Sequence, residues 1–182
     1  MKKTILALFL TFSGIAHGQY WQQSVNYTMD ITINVENHQY DGYQKVVYTN
    51  HSPDTLQKAY FHLYFNAFQP RSMMDVRSRT IKDPDRRVTD RIYGLGPDEI
   101  GFQEVRELTQ NGMPLGWEVN GTVLKFTLAE PLLPGESTTF EMRWNAQVPK
   151  QIRRSGWNNK EGVEFTMTQW YPKLAEYDKD GW

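Results

Sequence analysis

The feature that most constrains the fold is an unbroken alternation of apolar and polar residues over residues 25–35. Every second position is apolar, and the residues between are polar or charged; the apolar set is Val25, Tyr27, Met29, Ile31, Ile33 and Val35. A repeat of two belongs to an extended strand, in which successive side chains point to opposite faces. The stretch therefore predicts a strand with one apolar face.

The same pattern returns along the chain between turn signals. The turn at residues 36–39 predicts that the next strand pairs with the first, with Gly42 as a bulge. Asn120-Gly121 is a strong hairpin signal, because both residue types tolerate positive φ. Repeated strands without a convincing amphipathic helix predict an all-β fold, an antiparallel β sandwich or saddle-shaped bent sheet. The predicted strands lie at residues 25–35, 40–49, 56–68, 100–108, 115–119, 123–128 and 137–147.

Residues 69–98 interrupt this pattern with charged residues and with Pro70, Pro84 and Pro97. A structureless segment of this length is unusual inside a compact domain. We therefore expect part of it to form a short helix or to lie against a segment outside this sequence. The Asp83-Pro84-Asp85 run has Arg86 beside it, which favours a solvated ionic loop over a catalytic carboxylate pair.

The first 18 residues are typical of a secretory signal peptide. Lys2 and Lys3 precede an apolar run at residues 5–15, and Ala16-His17-Gly18 fits a cleavage site before Gln19. The run is too short to span a bilayer, so we expect an exported, periplasmic or secreted protein without a stable membrane anchor. Removing both lysines changes the net charge from −1 to −3, which favours neither nucleic acid nor anionic lipid as a partner.

The residues that common catalytic and metal sites require are missing or scattered. The chain has no Cys, its four His residues form no H-E-x-x-H arrangement, and no G-x-S-x-G elbow occurs. We therefore predict no catalytic residue and no metal ligand in this chain. Glu176, Asp178, Asp180 and Gly181 match the first positions of a calcium loop, but no helix is predicted before them, so calcium is the weaker interpretation.

One polar residue is out of step with its predicted strand. Val163, Phe165 and Met167 share one side of an extended chain, and the next residue on that side is Gln169. The interpretations left open are a residue that lines a binding pocket and a buried structural glutamine bonded to the backbone.

Four segments together resemble the N-terminal domain of the M1 family of zinc aminopeptidases, over about residues 25–182. They are residues 27–33 (Tyr-Thr-Met-Asp-Ile-Thr-Ile), the Tyr40-x-Gly42 turn, residues 56–66 and residues 164–169 (Glu-Phe-Thr-Met-Thr-Gln). The Gln-Trp-Tyr-Pro run that follows is similar to a bacterial branch of the family.

The resemblance implies a saddle-shaped β domain packed against a thermolysin-like catalytic domain. That domain would carry H-E-x-x-H, a distant Glu and G-x-M-E-N, and zinc would be bound only in the full-length enzyme. By the same resemblance, Gln169 lines the substrate pocket beside G-x-M-E-N. Apart from the resemblance, the aromatic pair Trp170 and Tyr171 is a further candidate for substrate binding, as a platform for sugar or peptide. The domain is expected at residues 19–170, and residues 171–182 would begin the connection to the missing C-terminal catalytic domain.

These expectations make the chain an inactive fragment of an exported aminopeptidase whose partners are its catalytic domain and a peptide substrate. The alternative is a free-standing secreted β-sandwich module that binds peptide or glycan. It would use Trp170, Tyr171 and the face that carries Tyr60, His62 and Tyr64. A structural repeat unit is disfavoured because the sequence has no internal repeat.

Overall fold

The computed structural model describes residues 21–182; the predicted signal peptide at residues 1–18, with its cleavage site before Gln19, lies outside the described residues. Strands dominate this part of the chain, together with a 3-10 helix at Tyr64–Phe68 and an α-helix, α1, at Met73–Thr80. The strands are β1 Ser24–Asn34, β2 Gln39–Thr49, β3 Leu56–His62, β4 Phe102–Gln110, β5 Met113–Pro114, β6 Trp117–Asn120, β7 Val123–Leu132, β8 Ser137–Gln147, β9 Gly156–Trp157, β10 Phe165–Thr166 and β11 Lys173–Leu174.

Two antiparallel sheets form the domain. One has the order β1-β2-β8-β4-β5, the other has the order β11-β3-β7-β6, and β9 and β10 form a small separate ribbon. Aromatic rings from both sheets meet between them: the Phe140 ring of β8 lies 5.3 Å from Phe126 of β7 and 6.3 Å from Phe61 of β3. The predicted all-β antiparallel sandwich is confirmed.

Strand β8 is the centre of the larger sheet, with β2 on one side and β4 on the other. Its bounds, residues 137–147, are those predicted. Phe140, Met142 and Trp144 are buried, as the alternation required, because this face of the strand meets the second sheet. The hairpin predicted at Asn120-Gly121 is also confirmed: Asn120 pairs with Val123, and Gly121 has φ 58°.

The bulge predicted at Gly42 is wrong. Gly42 pairs with Ile31 on one side and Trp144 on the other, without a shift in register. A Cβ at this position would lie 2.3 Å from the indole of Trp144. Gly42 is required because the Trp144 ring lies against its backbone, and not because the strand bends there.

The strand predicted at residues 56–68 ends at His62, and a 3-10 helix follows. Phe65 and Phe68 are both buried, and residues three apart share one side of a 3-10 helix. Alternation alone could not reveal the change, since Leu63 and Phe65 are also buried two residues apart. Smaller differences occur elsewhere, where β4 begins at Phe102 and residues 113–120 form β5 and β6.

The helix expected within residues 69–98 is α1, and it begins with a reciprocal cap. The Ser72 hydroxyl accepts a hydrogen bond from the Asp75 N–H, and the buried Asp75 carboxylate accepts one from the Arg71 N–H at 2.7 Å. Val88 and Ile92, later in the same segment, are buried in the core. None of the helices within residues 21–182 is long and apolar enough to cross a membrane.

The most regular strand of the sequence, β1, is an edge strand and is poorly buried. Tyr27 and Ile31 pack against the core, but Ile33 and Val35 remain 50% and 54% exposed. An alternation of apolar and polar residues with a period of two specifies a strand and its faces, but it cannot specify what covers those faces.

The end of the described chain packs back onto the sandwich. β11 pairs with β3, and the N–H of Leu174 donates to the Tyr27 hydroxyl at 2.9 Å. The N–H of Ala175 donates to the carbonyl of Tyr60. The domain boundary expected at residue 170 stays a prediction, although β11, beyond it, belongs to the second sheet.

Candidate functional site

The candidate site is built around Gln169, and its backbone differs from the extended chain predicted for it. β10 contains only Phe165 and Thr166, and Gln169 has a left-handed backbone with φ 57°. The chain leaves the strand direction because the N–H of Thr168 donates to the Ser155 hydroxyl. The Gln169 side chain is exposed, which argues against the buried structural glutamine.

Gln169 lies at the wall of a cavity of about 170 Å³ between three parts of the chain. The 3-10 helix and α1 supply an apolar floor with Phe68 and Met74. The turn at residues 153–155 supplies the facing wall. The complete lining is Tyr64, Ala67, Phe68, Met74, Arg153, Arg154, Ser155, Thr168 and Gln169.

Hydrogen bonds between Ser155 and Thr168 join the two polar walls. Their hydroxyl oxygens lie 2.5 Å apart, and the Thr168 hydroxyl is also 3.2 Å from the Arg154 carbonyl. The turn itself depends on Gly156, which has φ 142° and where a Cβ would lie 2.3 Å from the Cα of Gln151. The walls that carry Arg154 and Gln169 are therefore held at a defined separation.

Three polar groups of the lining have no partner among residues 21–182. No hydrogen bond joins the guanidinium of Arg154, the side-chain amide of Gln169 or the hydroxyl of Tyr64 to any described residue. Burial raises the pKa of Tyr64, and the neighbouring Tyr171 adds to the effect, so this hydroxyl stays protonated at neutral pH. An apolar floor with a few unpaired polar groups is the usual composition of a ligand-binding pocket.

The second arginine of the lining is held by a neighbouring loop. Arg153 Nε lies 3.2 Å from Asp85, whose carboxylate also binds Arg87 at 2.7 Å. These hydrogen bonds and charges, chiefly those of Arg87, hold the pKa of Asp85 well below its usual range. None of the residues that line the cavity is acidic.

The structure places Trp170 and Tyr171 against the core and not in the cavity. The Trp170 ring lies 6.1 Å from Tyr40 and 6.2 Å from Trp144, and its carbonyl accepts a hydrogen bond from the Tyr40 hydroxyl. The Tyr171 ring packs edge-on against Tyr27. Their predicted contact with substrate stays a prediction.

The aromatic face considered for the alternative function is divided. His62 stacks on Tyr64 at 5.0 Å, while Tyr60 contacts Trp182. Of these residues only Tyr64 lines the cavity. Sequence reasoning placed Tyr64 on a strand and gave no reason to single out Arg154 or Ser155, because two adjacent arginines and a serine in a turn carry no motif.

Within residues 21–182, no group of three or more His, Cys, Asp or Glu side chains is arranged to hold a metal ion. The calcium-like run forms a tight turn in which Asp178 and Gly181 exchange backbone hydrogen bonds. There the carboxylate of Asp178 accepts the N–H of Asp180 at 2.8 Å. The residues described do not fit a zinc site of their own.

No family model and no curated protein match the sequence. Among solved structures, a two-domain M1 zinc metallopeptidase bound to L-tryptophan matches with a TM-score of 0.48 and 15% identity, covering 81% of this chain and 27% of that one. A mutant M1 zinc metallopeptidase from Deinococcus radiodurans bound to a Tyr-Ser-Ala substrate matches with a TM-score of 0.48 and 16% identity, with the same coverage. The chain thus spans about 27% of the length of these proteins. Both are described as M1 zinc metallopeptidases, the family whose N-terminal domain the sequence motifs resemble.

Proposed function

We propose that this chain is the substrate-pocket and scaffold domain of an exported M1-like zinc aminopeptidase, which removes residues from the N-terminus of peptides. The observation that carries the proposal is the exposure and backbone conformation of Gln169. Its side chain is exposed at a partly apolar cavity, has no described hydrogen-bond partner, and sits on a left-handed backbone. A non-glycine residue in this conformation costs about 1 kcal/mol or more. Six other non-glycine residues within residues 21–182 share it, so what distinguishes Gln169 among them is its exposed amide at the cavity.

The role proposed for Gln169 follows from the chemistry of its amide. A carboxamide both donates and accepts hydrogen bonds, so it can donate to a peptide carbonyl or accept from a peptide N–H. In the proposed enzyme the cavity forms one wall of the substrate site, and a catalytic domain beyond this chain supplies zinc, the general base and the remaining walls. When bound there, zinc would activate the attacking water. The residues of this chain bind and orient the peptide.

The proposed export rests on the signal-peptide pattern of residues 1–18. The proposed aminopeptidase family rests on the ordered motifs, above all on the Thr168-Gln169 pair that follows β10, and on the position of Gln169 at the cavity. Cell fractionation with antibodies tests the periplasmic or secreted location. The processed protein is expected to start at Gln19.

The decisive experiment uses the longest open reading frame that contains this chain. We expect an H-E-x-x-H motif downstream, and zinc-dependent hydrolysis of aminoacyl p-nitroanilides by the purified product. Gln169→Ala should lower kcat/KM at least about tenfold, a loss of about 1.4 kcal/mol, without lowering Tm. The matched control is Gln57→Ala, an exposed glutamine on β3 away from the cavity.

Two results would contradict the proposal. One is a reading frame with no metallopeptidase region, together with peptide or glycan binding by the chain alone, which would favour the free-standing module. The other is a Gln169→Ala enzyme with full activity and reduced stability, which would make Gln169 part of the scaffold.

A further inference from the structure

The charge around the cavity differs from that of the whole chain. Residues 71–91, which include α1, carry seven Lys or Arg against four Asp or Glu, whereas the whole chain has a net charge of −1. Arg153 and Arg154 add two positive charges in the cavity wall itself, where no acidic residue is present. The charged residues that line the cavity are therefore all basic in a mildly acidic protein.

The two arginines are not equivalent. Arg153 shares the carboxylate of Asp85 with Arg87, so its charge is partly neutralised. Arg154 makes no ion pair with any residue of the described chain, and only its backbone carbonyl is engaged, by Thr168. The N–H donors of the Arg154 guanidinium therefore have no partner among residues 21–182 and are free to bind a ligand.

From this arrangement we infer that the cavity binds a carboxylate of the peptide, and that Arg154 is the residue that binds it. The inference rests on the proposed function, whose substrate class it narrows to peptides with an acidic side chain or a nearby free C-terminus. Two parallel N–H donors of a guanidinium match the two oxygens of a carboxylate, and a charge-assisted bond of this kind is roughly twice as strong as a neutral one. The Gln169 amide and the Tyr64 hydroxyl lie on the same lining and can donate further hydrogen bonds, while Phe68 and Met74 contact the aliphatic part of the ligand.

The geometry also explains why the wall must be rigid. A bidentate pair loses strength when its donors move, and the Ser155–Thr168 hydrogen bonds hold the Arg154 turn against the segment that carries Gln169. Arg154 and Gln169 are thereby positioned as two ends of one binding surface.

The test measures binding to the chain, without any hydrolysis, by titrating three dipeptides and following the backbone amide signals of Thr168 and Gln169 by NMR. Glu-Ala-NH2 carries only a side-chain carboxylate, Gln-Ala carries only a C-terminal carboxylate, and Gln-Ala-NH2 is the isostere of both without a carboxylate. We expect at least one carboxylate peptide to bind about tenfold more tightly than Gln-Ala-NH2. The peptide that binds more tightly identifies whether the cavity binds a side-chain or a C-terminal carboxylate.

Variants assign the effect to Arg154. Arg154→Gln should abolish the preference for the carboxylate, and Arg154→Lys should keep part of it, because lysine retains the charge but not the planar pair of donors. Arg143→Gln, which removes an exposed arginine of β8 paired with Glu107, is the matched control and should leave the preference unchanged. All three variants should keep the Tm of the original chain, because these side chains are exposed.

Equal binding of all three peptides would overturn the inference, as would a preference that survives in Arg154→Gln. Competition by inorganic phosphate as strong as that by the carboxylate peptides would reduce the cavity to a non-selective anion site and would also overturn it. The proposed function is tested by a separate experiment. It is contradicted if the longer enzyme hydrolyses no aminoacyl substrate, whatever the outcome of these titrations.

Discussion

The hydroxyl groups of Ser155 and Thr168 lie 2.5 Å apart and join the segment that carries Arg154 to the segment that carries Gln169. Ser155 is buried, and its oxygen also accepts the N–H of Thr168 at 3.2 Å. Together with the pairing of β9 and β10, this pair holds the two walls of the cavity against each other.

Replacing Ser155 by alanine removes the acceptor of the Thr168 N–H and the partner of its hydroxyl. We expect the free energy of unfolding to fall by about 1–2 kcal/mol, the usual cost of leaving such groups unpaired. Urea denaturation measures it. The matched control is Ser137→Ala, because Ser137 makes a similar hydroxyl pair with Thr49 at 2.7 Å but is exposed. Equal losses in both variants would show that the Ser155 contact has no special role.

Gln169→Gly separates strain from function. Glycine adopts positive φ without a steric penalty, so this variant should be more stable than the original chain by up to about 1 kcal/mol, although it loses the amide. The comparison is Asn158→Gly, at φ 58°, where the gain should be smaller because asparagine tolerates this conformation better. Thermal denaturation of both variants provides the measurement, and a destabilised Gln169→Gly protein would show that the side chain serves the scaffold.

Gly42→Ala tests the contact that replaced the predicted bulge. A methyl group there would overlap the Trp144 indole in the centre of the larger sheet, so we expect a loss of about 2 kcal/mol or more. Gly116→Ala is the control, since a Cβ at Gly116 meets no atom within 4 Å and should change stability by less than about 0.5 kcal/mol. If the two variants unfold at the same urea concentration, Trp144 does not confine position 42.

The buried Asp75 carboxylate makes stability depend on acid pH. Hydrogen bonds from Arg79, at 2.8 and 3.1 Å, and from the Arg71 N–H lower the pKa of Asp75 below its usual value, against the effect of burial. Because the folded pKa is the lower one, the stabilisation is complete above the unfolded pKa of about 3.9 and is lost as the pH falls through the folded pKa.

Asp75→Asn should therefore lower the free energy of unfolding at pH 7 and flatten its decline below about pH 4. Denaturation at a series of pH values checks this. Glu104→Gln breaks an exposed pair with Arg106 and should leave the pH dependence of the chain nearly unchanged. An Asp75→Asn protein with the original acid profile would assign the decline to other carboxylates.

Features of the fold that depend on adjacent residues were predictable from the sequence, and features that depend on distant segments were not. β8 was predicted to the residue, and the hairpin at Asn120 was recognised, because alternation and turn preferences are properties of adjacent residues. The change from strand to 3-10 helix after His62 was missed because both conformations bury Phe65. The role of Gly42 was misread because its reason, the Trp144 ring, lies on another strand.

For the candidate site, the sequence drew attention to Gln169 through an alternation that ends at Thr166, and its role stays a prediction. Tyr64 and Arg154 belong to segments far apart in the chain, and neither segment carries a binding motif of its own. Their proximity to Gln169 follows from the pairing of β9 with β10 and from the hydrogen bonds of Ser155.

By itself, the sequence determined the all-β class and the faces of the long strands, because these depend on side-chain order along a single segment. Only the tertiary structure decided that β1 lies at an edge with its apolar face half exposed, that Trp170 and Tyr171 pack against the core, and that Arg154 faces the cavity of Gln169. The physical reason is that burial, cavities and unpaired charges arise from contacts between distant segments, which no local period encodes.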